Sequence, residues 1–71
     1  MTSLAEALPA KIHEMNEIII PEYEAIILIA PMTAITVAIM RAEVRRAVDA
    51  LASGDVLKML SAYTAIEDYE A

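Results

Sequence analysis

Three arginines within six residues, Arg41, Arg45 and Arg46, are the densest chemistry in this chain, and Lys58 is the next cation along. Guanidinium groups at this density suit one task, holding phosphate oxygens through charge and paired N–H donors. Such contacts need no reading of bases, and duplex DNA offers one phosphate charge per ~1.7 Å of axis. Arg41 and Arg45 stand four residues apart, so a helix places them on one face with Arg46 beside them. Glu43 can pair with Arg46, and Arg45 with Asp49, across one helical turn. Arg41 has no acid three or four residues away. The competing reading is a solvated helix face, the ordinary fate of three cations beside two acids. No aromatic side chain interleaves the cluster, which disfavours base stacking on single strands.

Little else in the chain could do chemistry. His13 with Glu14 and Glu17 is a thin donor set, and a lone His on an acidic helix is read as solvated or packed, so no metal site is expected. There is no Cys and hence no disulfide or thiolate site. No nucleophile–base pair and no Gly-rich phosphate loop are present. The expectation is a protein that is not an enzyme and needs no cofactor. Tyr23, Tyr63 and Tyr69 read as packing residues, and Glu67, Asp68 and Glu70 as a solubilising tail. Asn16 is followed by Glu-Ile and is no glycosylation acceptor.

The elements that must carry the cations are helical. Ala, Leu, Ile, Met and Glu dominate, there is one Gly, and no period-2 alternation persists. Ser3 with Glu6 fits a capping box at the start of a first helix over residues 3–20. Pro9 interrupts that helix or opens its next stretch. Ile12, Met15, Ile19 and Ile20 mark its apolar face. Pro21 and Pro31 follow, each as a kink or a turn; the lack of Gly, Asn or Asp beside either favours kinks. A second helix is expected over 21–52, kinked at Pro31, with Val44, Val48 and Leu51 inward. Ala52-Ser53-Gly54-Asp55 is the strongest turn signal, with Gly54 as a left-handed helix end and Asp55 or Ser53 as the next cap. A third helix over 56–68 carries Val56, Met59, Leu60, Tyr63 and Ile66 as its stripe. The fold class is all-α: a helix-turn-helix hairpin with a long proline-kinked apolar arm and a shorter amphipathic one. Residues 1–71 form one unit. The bend is expected to be basic and both acidic termini to lie away from it.

Charge is segregated along the chain. Residues 1–24 carry −4, residues 25–40 none, residues 41–58 +1 and residues 59–71 −3, for a net −6. The uncharged run, Ala25 to Met40, is sixteen residues long. A membrane span needs about 20 apolar residues, and Glu22 and Glu24 block its extension upstream. Yet 59% of the chain is apolar, above the ~45–50% of soluble domains. A chain of this size has little interior to hide that surface, which points to assembly, membrane insertion or both. Burial of the run against copies of itself is the favoured reading. The N-terminal stretch has no basic region followed by a short apolar one, so no secretory signal is expected. Gln and Cys are absent and Asn occurs once, a pattern thermophile proteins share.

The order acidic, apolar, basic resembles the coat proteins of rod-shaped and filamentous viruses. The likeness is carried by the N-terminal Glu set, the Ala25–Met40 run and Arg41, Arg45 and Arg46. A turn at Ser53–Asp55 and a further helix set it apart from the single-helix coat proteins of filamentous bacteriophages. They bring it closer to the helix-turn-helix capsid proteins of clavavirus-type archaeal viruses. That resemblance implies a major capsid protein that polymerises into a helical virion. Its partners would be many copies of itself and double-stranded DNA, with membrane lipid as a partner before assembly. Arg41, Arg45, Arg46 and Lys58 would line the lumen. The alternatives are a conjugative-pilus-type pilin, which would place it in an extracellular pilus, and a small single-span protein of the cell membrane. Pilins carry two strongly apolar helices and a cleaved leader; here the last helix is only amphipathic and no leader is evident.

Overall fold

In the computed structural model, which describes residues 3–70, the protein is all-α. Helix α1 occupies residues 4–26 as one continuous element. It comprises Leu4–Glu14, a π-helical turn Met15–Ile19 and Ile20–Ile26. Helix α2 is Thr33–Ser53 and α3 is Val56–Ile66.

The three prolines fare differently from expectation. Pro9 neither stops nor starts a helix; α1 runs through it. The loss is one hydrogen bond, to the carbonyl of Ala5, while Leu8, Met15 and Ile19 hold the helix by complete burial. The expected boundary between residues 20 and 21 is also absent. The ring of Pro21 would crowd the carbonyl of Glu17, four residues back. Glu17 lies inside the π-helical turn, whose wider path moves that carbonyl aside. The expected kink at Pro31 is instead a chain reversal, so residues 21–52 are not one arm. The last α-type bond of the first helix is Ala30 N–H to the Ile26 carbonyl, at 2.8 Å. Pro31 then occupies the second position of a tight turn, closed by Thr33 N–H to the Ala30 carbonyl at 2.9 Å, the turn site proline favours. No Gly or Asn is needed, because every residue there keeps a negative φ.

At the second reversal Gly54 takes the left-handed conformation (φ 71°) that ends α2. The Asp55 carboxylate accepts from the amides of Leu57 and Lys58 at 2.9 and 3.2 Å, satisfying two of the free donors of α3. Ser53 assists: its hydroxyl donates to the Ala50 carbonyl and accepts from the Asp55 amide. Ser3 holds the N-cap position of α1, but its hydroxyl makes no capping bond, so the expected capping box is not formed.

Two reversals stack three helices up, down and up around one core. Leu8, Met15, Ile19, Met40 and Ile66 are wholly enclosed. From α2 the buried line is Val37, Met40, Val44, Ala47 and Ala50, and Val48 lies half outside. From α3 it is Met59, Ala62 and Ile66, with Val56 and Leu60 more than half exposed. The α3 stripe is thus rotated from the expected one. Small Ala62 sits where the helices meet, and the larger Leu57 and Leu60 are turned out. The start of α1 returns to the end carrying the 53–55 bend, and Tyr69 is tied to the waist of α1 and α2 through Lys11 and Glu43. The expected separation of acidic termini from a basic bend does not hold for α1, whose Glu6 lies toward the bend.

The caps generate a paired prediction. Asp55→Ala loses two capping bonds and should cost about 1 kcal/mol, which lowers the melting temperature of a domain this size by roughly 4–8 °C. Ser3→Ala loses none and should leave the melt within about 0.5 kcal/mol of wild type. Circular dichroism at 222 nm reads both.

Candidate functional site

The four cations do not share one face. Arg41 points to α1, where its guanidinium donates to the Glu24 carboxylate at 2.6 Å. Helical spacing alone leaves it uncompensated; the partner lies seventeen residues away in sequence and is brought close only by the reversal at Pro31. Both side chains are about half exposed, so the pair contributes at most about 1 kcal/mol. It nevertheless occupies the arginine's charge. Arg45 shares that side of α2 and is exposed. Arg46 is turned by about 100° from Arg45 along the helix.

Arg46 and Lys58 are brought together. They rim an open groove of about 530 Å³ beside the bend, with Asp49, Ser53, Leu57 and Ser61 along it and Ala50 in its floor. The expected pairs Glu43–Arg46 and Arg45–Asp49 are not formed among the described residues. Glu43 is engaged elsewhere, accepting from the Tyr69 hydroxyl at 2.7 Å. Arg45, Arg46 and Lys58 are therefore exposed cations without an ion-pair partner among the described residues. Three free charges near one end of a rod can meet phosphates, whereas Arg41 must first leave Glu24.

The other proposed sites are quiet. His13 is exposed, and no cluster of three metal-ligating side chains occurs among the described residues. Glu67, Asp68 and Glu70 are exposed. Tyr69 is more than packing: it accepts the Lys11 ammonium at its carbonyl and donates its hydroxyl to Glu43, so one residue ties α1 and α2 to the end of α3. No sequence signal marks this tie, because it depends on where the chain turns.

The larger surprise is apolar. Leu28 (92% exposed), Ile29 (86%) and Met32 (75%) crown the Pro31 reversal, and Ile35 and Ile39 continue that surface down α2. Within the Ala25–Met40 run only Val37 and Met40 are buried. No helix among the described residues is long and apolar enough to cross a membrane.

The Tyr69 tie predicts an alkaline weakness. The Glu43 carboxylate accepting the phenol, with burial second, pushes its pKa from 10.0 up to about 12. The neutral phenol is thus favoured in the fold, and its contribution is complete below pH 10. It is lost as pH rises toward about 12. Urea midpoints should fall across that window more steeply for wild type than for Tyr69→Phe, which has no phenol to ionise there. Parallel curves would remove the tie from the stability balance. Compared with family models, with curated proteins and with solved structures, the chain matches none of them.

Proposed function

We propose that this chain is a coat-type structural subunit. It polymerises by helix packing into a helical, rod-shaped virion and holds double-stranded DNA through phosphate contacts. In that assembly the whole three-helix chain is the repeating element. The observation that carries the reading is the apolar surface outside the core, from Leu28 and Ile29 through Met32, Ile35 and Ile39. Large side chains left this open on so small a chain mark a surface that meets another protein. Covering them contributes ~25 cal/mol per Å², and a polymer covers them on every copy.

The DNA contact rests on Arg45, Arg46 and Lys58, whose charges are free among the described residues. Arg41 joins them once Glu24 releases it. A net charge of −6 opposes binding by a single subunit. Repetition along a rod gathers the cations into a basic lining while the acids sit elsewhere on each copy.

Negative-stain microscopy joined to nuclease protection tests both halves. Purified chain, concentrated and supplied with duplex DNA, should form rods that shield the duplex. The triple variant Arg45→Ala, Arg46→Ala, Lys58→Ala should still form rods but protect little DNA. Its binding should also depend less on salt, the logarithmic slope falling by about 0.9 for each phosphate no longer neutralised. Full protection by the triple variant would remove the DNA role. Lipid-bearing tubes without nucleic acid would favour a pilin, and a monomer at all concentrations would end the assembly reading.

A further inference from the structure

Two apolar surfaces remain, at opposite ends of the molecule. The first is a shelf. On α2 the line Glu43, Arg46, Ala50 runs at helical spacing beneath α3 and its C-terminal extension: Glu43 meets Tyr69, and Arg46 and Ala50 share a groove with Leu57. Followed away from the bend, the same line passes the end of α3 and continues as Ile39, Ile35 and Met32, each more than half exposed. On α1, Ala7, Lys11 and Glu14 border α3 at Tyr63 and Glu67, and the next residue along that line, Ile18, is again half open. The shelf is the track of a third helix that ends too soon. Helix α2 has 21 residues and α3 has 11, so at 1.5 Å per residue about 15 Å of track is uncovered.

The second surface is a knob, the outer face of α3. Leu57 is 78% exposed, and Leu60 and Val56 are more than half exposed. The edges differ in charge. Glu22, one turn past Ile18, is exposed and unpaired among the described residues; Lys58 and Arg46 beside the knob are likewise exposed and unpaired.

We infer that the shelf formed by Ile18, Met32, Ile35 and Ile39 is filled by the outer face of α3 from a second copy, with Leu57 and Leu60 as the inserted side chains. The occupant is a second copy because the knob supplies what the shelf lacks, a short amphipathic helix with an apolar outer face. The rims are also opposite in sign, Lys58 and Arg46 beside the knob and Glu22 beside the shelf, an attraction that needs no ion pair and so leaves the cations open to phosphate. These exposed charges orient the pair more than they strengthen it. Apolar burial supplies the energy. Shelf and knob are different surfaces, so the contact is head-to-tail and each bound copy presents a new open shelf. Such an interface grows into an open helix unless its rotation closes a ring. The inference rests on the self-assembly reading and gives it a geometry.

The absence of Cys from the chain makes the test direct. Ile35→Cys and Leu57→Cys are prepared as separate full-length variants, mixed in denaturant, refolded together and oxidised. Ile39→Cys with Leu60→Cys forms a second pair, and far-ultraviolet circular dichroism confirms that each variant folds. The mixture should give a cross-linked species several-fold more abundant than either variant gives alone. Sedimentation of unmodified chain runs beside it. Association with cross-links mainly within single variants would replace head-to-tail contact by a symmetric one. Association without links in either pair would place the interface elsewhere. Both results overturn this inference and leave self-assembly standing. No association at any concentration would overturn both.

Discussion

Pro31 has no amide to offer the carbonyl of Ile27, and because the residues around it are exposed rather than buried, nothing carries α1 past that missing donor. The preceding residue, Ala30, is also held away from helical geometry by the proline ring. The β-branched residues just before it, Ile26, Ile27 and Ile29, favour helix only weakly. An uninterrupted helix over residues 4–53 would be a rod of ~75 Å; the molecule is 38 Å in its longest dimension. Reversal at this point lays α2 back on α1 and so creates the core. It also leaves Leu28, Ile29 and Met32 on the outside of the corner, since the side chains of a tight reversal cannot all point inward. Arg41 meets Glu24 for the same reason. Pro21 shows the contrast: there the helix widens by a π-helical turn and passes through, because Met15 and Ile19 within the widened turn and Ile20 just after it are buried.

Length mismatch is the second consequence. A bundle closes its core only where three helices overlap, and α3 reaches about half of α2. The accessible surface is 4777 Å², against about 4300 Å² for a compact globular chain of this mass. The excess fits an elongated shape with an unfinished end. Small buried residues, Ala47, Ala50 and Ala62, let α2 and α3 approach closely, which completes the bend end while the Pro31 end stays open. The core is thus closed toward the bend and open toward Pro31.

The all-α class was legible in the sequence, as was the bend at Ser53–Asp55, because both rest on local chemistry. Gly54 and Asp55 act through their own backbone and the next turn, so nothing distant could override them. The prolines were not legible in the same way. Pro9 and Pro31 obey the same steric rule, and what separates them is tertiary: buried neighbours hold the helix at Pro9, whereas exposed ones surround Pro31. The stripe on α3 differs from expectation for a related reason. Large apolar residues draw the eye, but the buried face of α3 is Met59, Ala62 and Ile66 and includes the small alanine while Leu57 and Leu60 stay outside. The cation cluster was legible as composition and not as a site. Spacing along α2 separates Arg41 from Arg46, and it was the distant Glu24 and Tyr69 that engaged Arg41 and Glu43.

Charge and apolar surface pull this molecule in opposite directions with salt. Subunits of net charge −6 repel at low ionic strength, and the repulsion fades as the screening length shortens from ~30 Å at 0.01 M to ~10 Å at 0.1 M. Apolar docking is not weakened by the same change, so added salt favours contact between copies. The proposed phosphate contacts by Arg45, Arg46 and Lys58 would respond the other way, since each would release counterions that excess salt returns. Under the proposed function, a chain that does both would be confined to a window of ionic strength. On the proposed reading DNA would help assembly beyond its own contacts, because its length would align copies along one axis. The Arg41–Glu24 pair bears on this balance: breaking it costs little and would add a fourth cation to the proposed lining, while the freed acid would add to repulsion between copies unless a neighbouring copy brought a cation to meet it.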